Sequence, residues 1–170
     1  MGGQEHFYLE GQVSLAVPEE HGAVTVHCST QHPSEVQHLV AHMLHVQASM
    51  VTVECRRMGG AFGGKESQAA QWACLAALAA CLLGRPAKCR LDRDEDMMLT
   101  GKRHDFRIDY EVGYDDEGRI LGANITLMSR CGYSTDYSGP VNDRACLHID
   151  NCYYIPNLKL ISHRCKTNTQ

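Results

Sequence analysis

The stretch Met50-Val-Thr-Val-Glu-Cys-Arg-Arg-Met-Gly-Gly-Ala-Phe-Gly-Gly-Lys-Glu-Ser67 changes character twice in a short span. Its first half, Met50 to Arg57, alternates β-branched and polar residues and reads as a strand. Residues 59 to 64 hold four glycines around Phe62 and read as a loop. Ser67 to Leu83 then repeats apolar residues at helical spacing, and Gly84 and Pro86 close that helix. A strand, a side-chain-poor bend and a helix therefore follow one another. The bend lets backbone approach a ligand closely, and the helix start offers a positive dipole end, so an anionic group suits it.

Working outward, residues 6 to 17 are rich in strand formers, and Pro18-Glu-Glu-His-Gly22 is a turn leading into the alternating run Ala23 to Cys28. These predict a hairpin. Val36, Leu39, Val40, Met43 and Leu44 fix the apolar face of a helix, with Pro33 and Ser34 at its start. Lys88 to Leu91 predicts a short strand and Asp94 to Leu99 a short acidic helix. Phe106 to Tyr114 and Ile120 to Ser129 flank the turn Asp115-Asp-Glu-Gly118 and predict a second hairpin. A loop over 132 to 140, a helix from Val141 to Ile149 and a strand from Leu158 to His163 complete the series. The fold class is α+β (mixed α/β), β-hairpins with packed helices, with no repeat or flexible linker.

With 170 residues, the chain can bury roughly two thirds of its unfolded surface. A hydrophobic fraction of 44% and a charged fraction of 21% exclude a disordered chain. The net charge of -4, with basic residues interleaved among acids, gives no footprint for nucleic acid. The nine cysteines form no C-x-x-C pair, which argues against a zinc ribbon or an iron–sulfur cluster here. Cys74 and Cys81 sit within one helical run, so buried, reduced thiols and a cytosolic home are expected. The first residues show no secretory signal, and the longest apolar run, Ala69 to Leu83, is too short for a bilayer.

On glycine content alone the bend is equally an ordinary tight turn. It is not a Walker loop, because Glu66 follows Gly64-Lys65, and Ala61 breaks a dinucleotide fingerprint. His38, His42 and His45 share a helix face without a metalloprotease pattern and read as a solvated or interface face. Asp92 to Asp96 matches no calcium loop and reads as a charged surface segment.

The series Gly2-Gly3-Gln4-Glu5-His6-Phe7-Tyr8-Leu9-Glu10, Ser29-Thr30-Gln31, Gly59 to Glu66, Gly84-Arg85-Pro86, Leu91 to Met97, Thr100 to His104, Arg144-Ala145, Asp150 to Tyr153 and Cys165 to Asn168 resembles, in order, the molybdenum hydroxylases. This is the xanthine dehydrogenase and aldehyde oxidase family. The resemblance spans essentially the whole chain. It implies that Gln31, Phe62 and Gly63 lie beside a molybdenum–molybdopterin centre, Gln31 and Phe62 contacting the metal's ligands. It also implies that iron–sulfur clusters and FAD sit on other segments or subunits.

Glu66 after Gly-Gly-Lys and Arg144 before Ala145 resemble the xanthine dehydrogenase branch, which implies a purine substrate. Hypoxanthine and xanthine would be hydroxylated to urate, with electrons passing through the clusters and FAD to NAD. Glu66 would hydrogen-bond and orient the purine, and the Arg144 guanidinium, which does not deprotonate, would stabilise charge developing on the ring oxygen. Without the resemblance, Glu66 is a favourable charge at a helix start, Arg144 a surface partner of Asp143 or Asp150, Gln31 a residue leading into a helix and Phe62 a loop anchor.

Two departures stand out: Ala61 replaces a glycine common in relatives and is expected to crowd the loop slightly, and His45-Val46-Gln47 replaces a Gly-Val-Pro turn. The resemblance implies that residues 1–170 form a partial molybdopterin-binding domain, the first molybdenum-binding segment, ending before a later cofactor segment and the catalytic base. Alone it is expected neither to hold molybdopterin well nor to hydroxylate anything. An aldehyde or other N-heterocycle hydroxylase, or a non-catalytic scaffold, are the alternatives. The expected partners are the rest of the molybdenum subunit and an iron–sulfur/FAD subunit or domain, with no nucleic acid and no membrane.

Overall fold

The structure is a computed structural model that describes residues 1–169. Its described residues form seven strands and four α-helices, divided between two compact units: Glu5–Gly101, and Met1–Gln4 together with the chain from Lys102 onward.

In the first unit, β1 (Val13–Pro18) and β2 (Val24–Cys28) form the expected antiparallel hairpin. From β2 the chain runs through α1 (Pro33–Leu44) into β3 (Val51–Glu54), which pairs parallel to β2. A parallel neighbour requires such a crossover, because a tight turn only reverses the chain. The loop and α2 (Gln68–Leu83) follow, and β4 (Ala87–Arg90) pairs antiparallel on the far side of β1, giving the order β3-β2-β1-β4.

Alternation sends Ser14 and Ala16 of β1, and Val24, Val26 and Cys28 of β2, to the buried face. There they meet Val36, Val40 and Ala41 of α1 and an alanine seam along α2: Ala69, Ala70, Ala73, Ala76, Ala77 and Ala80. A helix whose inward residues end at Cβ packs close to its neighbours, and the seam keeps α2 low on the sheet. Gly84 ends α2 in the left-handed conformation expected of a terminal glycine. His45 does the same for α1, at φ 55°, where glycine would be less strained.

Two expectations are corrected in this unit. Residues 6 to 12 form no strand, because Tyr8 and Gln12 turn inward to a buried polar network. Asp92 to Asp96 is not simply a charged surface. Asp92 caps α3 (Arg93–Leu99) in a capping box with Glu95, and Asp96 is buried at 2% exposure.

In the second unit β5 (Phe106–Tyr114) and β6 (Ile120–Gly132) form the expected hairpin, and β6 is followed through α4 (Ser138–Leu147) by β7 (Leu158–Lys166), parallel to it. Helix α4 begins three residues earlier than Val141, the expected start. It is held to this sheet by Asn142, which accepts from Ser129 Oγ at 2.7 Å and donates to Ser162 Oγ at 2.9 Å. Much of β5 and β7 is exposed, including Tyr110, Tyr114 and Leu158.

Candidate functional site

The glycine-rich bend joins β3 to α2, and its conformation depends on its residue types. Gly60 and Gly63 adopt φ of 94° and 91°, values that side chains resist, and Phe62 between them sits at φ 54° with its ring 63% exposed. A Cβ on Gly60 would press within 3.2 Å of the Phe62 ring, so the glycine leaves room for that ring. Gly64 is confined by sterics instead: a Cβ there would lie 2.6 Å from the Tyr8 ring and 2.9 Å from that of His6.

Gln31, at the end of the segment leaving β2, is tied to this bend. Its Oε1 accepts from the backbone N–H of Gly63 at 3.0 Å and of Lys65 at 3.3 Å, and its own backbone N–H donates to the Lys65 carbonyl at 2.9 Å. The oxygen of the carboxamide is thereby committed to protein. Its NH₂ group makes no hydrogen bond among the described residues, and the residue is exposed. The peptide N–H of Gly64 donates to Ala61 at 2.8 Å. At Gly63, Gly64 and Lys65 the loop N–H groups are thus engaged within the protein. The exposed Gln31 amide offers an unengaged donor beside the bend.

The bend lies over a buried polar cluster. The Lys65 side chain has 0% exposure, and its ammonium donates to the Glu10 carbonyl at 2.7 Å and Ser29 Oγ at 2.9 Å, reaching the Glu10 carboxylate at 3.4 Å. It also stands 4.7 Å from the Tyr8 ring centroid. Burial alone would raise the Glu10 carboxyl; hydrogen bonds from Ser29 and the Gly59 N–H, with the Lys65 charge, outweigh it and hold the group below its usual range. Burial draws the Lys65 ammonium below its ordinary value, against the pull of Glu10. Deeper still, Tyr8 donates to Asp96 Oδ1 at 2.6 Å and Gln12 N–H to Asp96 Oδ2 at 2.8 Å.

The structure brings Gln31, Phe62 and Gly63 together. Glu66 lies two residues before α2, half-buried, and its carboxylate has no hydrogen-bond partner among the described residues. Arg144 belongs to the second unit, exposed in the last turn of α4, where a cation favours the helix dipole. It makes no ion pair with Asp143 or Asp150 among the described residues. His38, His42 and His45 are all exposed. Sequence reasoning missed Lys65, Glu10 and Ser29 as functional candidates. All three lie within the stretches that carry the resemblance, Gly2 to Glu10, Ser29 to Gln31 and Gly59 to Glu66, which was the available signal.

The donor set fits an anionic metal–dithiolene group. A carboxamide with its acceptor already engaged offers only N–H donors, and the bend beside it is open, since a Cβ on Gly63 would meet nothing nearer than His6 Nε2 at 3.9 Å. The glycine bend and the amide fixed beside it thus form a surface with the chemistry to receive an anionic group.

Across residues 1–170 the chain matches the model of the molybdopterin cofactor-binding domain, and it belongs to that family. It is 52% identical over 168 residues to a xanthine dehydrogenase of Calliphora vicina, covering 99% of this chain and 12% of that protein. It is 46% identical over 170 residues to a nicotinate hydroxylase of Emericella nidulans, covering 99% of this chain and 13% of that protein. The fold is similar to that of the aldehyde oxidoreductase from Desulfovibrio gigas, with a TM-score of 0.89 at 22% identity over 99% of this chain and 18% of the other. The chain thus spans about an eighth of the curated relatives it matches.

Among the described residues, no helix is long and apolar enough to cross a membrane, and all nine cysteines are free thiols. Cys28 is the most enclosed, with burial pushing its thiol up to about 11.

Proposed function

We propose that this chain is the first molybdenum-binding segment of a xanthine-dehydrogenase-type hydroxylase, acting on hypoxanthine and xanthine in a cytoplasmic, purine-degrading setting. The observation that carries the reading is the Gln31 carboxamide, its oxygen held by Gly63 and Lys65 and its NH₂ group turned outward. When bound, the molybdenum–molybdopterin centre supplies the redox chemistry. Gln31 would donate to the bound group through its NH₂, and Phe62 and Gly63 would line the surface that holds it. A donor fixed before the reaction costs little reorganisation when charge develops.

Glu66, with a carboxylate not engaged elsewhere, hydrogen-bonds the purine ring and orients it. Arg144, also without a carboxylate partner, carries the counter-charge for the ring oxygen. The other participants are the rest of the molybdenum subunit and an iron–sulfur/FAD subunit or domain that leads electrons to NAD. The test is the molybdenum and pterin content of the full-length protein, with turnover of xanthine, hypoxanthine, nicotinate and an aldehyde. Metal-free protein, or turnover confined to aldehydes, rejects the reading. A second reading, hydroxylation of another N-heterocycle, is favoured by the likeness to the nicotinate hydroxylase. Nicotinate turnover exceeding that of xanthine would select it.

A further inference from the structure

The side chain of Lys65 has no part in the chemistry just described, yet it is among the most enclosed of the chain. Burying an ammonium is unfavourable unless every proton finds an acceptor, and here the Glu10 carbonyl, Ser29 Oγ and the Glu10 carboxylate supply three. The acceptors lie on both sides of the bend's base. Glu10 takes the Gly59 N–H on its carboxylate at 3.3 Å and donates its own N–H to the Gly59 carbonyl at 3.2 Å, which fixes the first glycine. Ser29 lies two residues before Gln31. The peptide of Lys65 meanwhile grips Gln31 twice, its N–H on Oε1 and its carbonyl on the Gln31 N–H, and that carbonyl also accepts from Thr30 Oγ1 at 3.2 Å.

We infer that Lys65 is the positioning residue for the Gln31 carboxamide: its buried ammonium, locked on Glu10 and Ser29, fixes the peptide that decides which end of the amide faces outward. The amide can be turned by exchanging its oxygen and nitrogen, and only the two N–H groups of Gly63 and Lys65 select the arrangement with the donor outward. Without the ammonium, the Glu10 and Ser29 acceptors lose their partner and the peptide at residue 65 is released. An outward carbonyl would then meet an anionic group. This inference rests on the reading that Gln31 faces the cofactor.

The experiment uses the full-length protein as wild type, Lys65→Met, Gln31→Ala and the double variant. Molybdenum per protein is measured, with amide exchange over residues 58–67. Lys65→Met is expected to lower molybdenum content about tenfold, as loss of a charge-assisted hydrogen bond would, and to accelerate exchange at Gly63 and Lys65 as Gln31→Ala does. The double variant is expected to retain as much metal as Gln31→Ala alone, because residues acting through one another do not add. Wild-type exchange in Lys65→Met, or losses that multiply in the double variant, would overturn the inference.

Should Lys65→Met fail to fold, Ser29→Ala, which removes one of the three acceptors and keeps the charge, carries the same comparison with an expected loss of about threefold. Unchanged exchange at Gly63 and Lys65 in that variant overturns the inference equally. A wild-type protein without molybdenum would reject the proposed function, and the exchange measurement would still decide the role of Lys65.

Discussion

The phenol of Tyr8 donates to the carboxylate of Asp96 at 2.6 Å, joining two almost fully buried side chains that are 88 residues apart in sequence. Asp96 also accepts from the Gln12 N–H and from Thr100 Oγ1, so it gathers the irregular segment 5–12 onto α3. Replacing Asp96 by Ala strands these donors in the interior. A loss of about 3 kcal/mol of unfolding free energy is expected, against about 1 kcal/mol for Tyr8→Phe. Denaturant unfolding of the two variants checks the difference, and equal losses would contradict it.

Burial, followed by the hydrogen bond to Asp96, raises the Tyr8 phenol from 10 to about 12. The folded state therefore keeps a proton that the unfolded chain releases. The contribution of Tyr8 to stability is fully present below pH 10 and declines as pH rises from 10 through about 12. Difference absorbance of wild type against Tyr8→Phe should show the missing phenolate appearing near pH 12. Its appearance near pH 10 in folded protein would refute the buried hydrogen bond.

Gly64 has no positive φ to protect, so its constraint is steric and Gly64→Ala isolates it. The added methyl would collide with the Tyr8 and His6 rings. An overpacking cost of about 1–3 kcal/mol is expected, visible as a lower Tm. Gly113, where a Cβ meets nothing within 4 Å, is the control: Gly113→Ala should leave Tm nearly unchanged. A silent Gly64→Ala would show that the rings give way freely.

In the full-length protein, Glu66→Ala and Arg144→Met are expected to depress xanthine turnover about a hundredfold, the usual effect of removing a group that stabilises developing charge. Aldehyde turnover should fall far less. Steady-state kinetics on both substrates decide the matter, and equal losses would remove both residues from purine recognition.

Local pattern was enough for much of the fold. The alternation in Ala23–Cys28, the turn Asp115–Gly118 and the glycine after Leu83 each act on neighbours in sequence, and the elements they imply formed. The parallel pairings of β3 and β7 were not anticipated, because they depend on where α1 and α4 return the chain. Tyr8 illustrates the second kind of failure. Its surroundings resemble a strand, but its partner is Asp96, which itself resembled a surface acid because nothing nearby signals burial. At the candidate site, Gln31 and the glycine bend were legible through ordered resemblance. The direction of the Gln31 amide was not, since it is set by hydrogen bonds to residues more than thirty positions away.

The alanine seam of α2 makes residue size a vertical adjustment for whatever hangs from that helix. A methyl group is the thickest spacer the seam now contains at Ala73, Ala76, Ala77 and Ala80. Any broader side chain there acts as a shim, tilting or lifting α2 and carrying the bend before Gln68 with it. Residues remote from the chemistry would then govern its alignment through bulk alone, and a change as modest as alanine to valine could misplace the bend while every residue that meets the cofactor stayed intact.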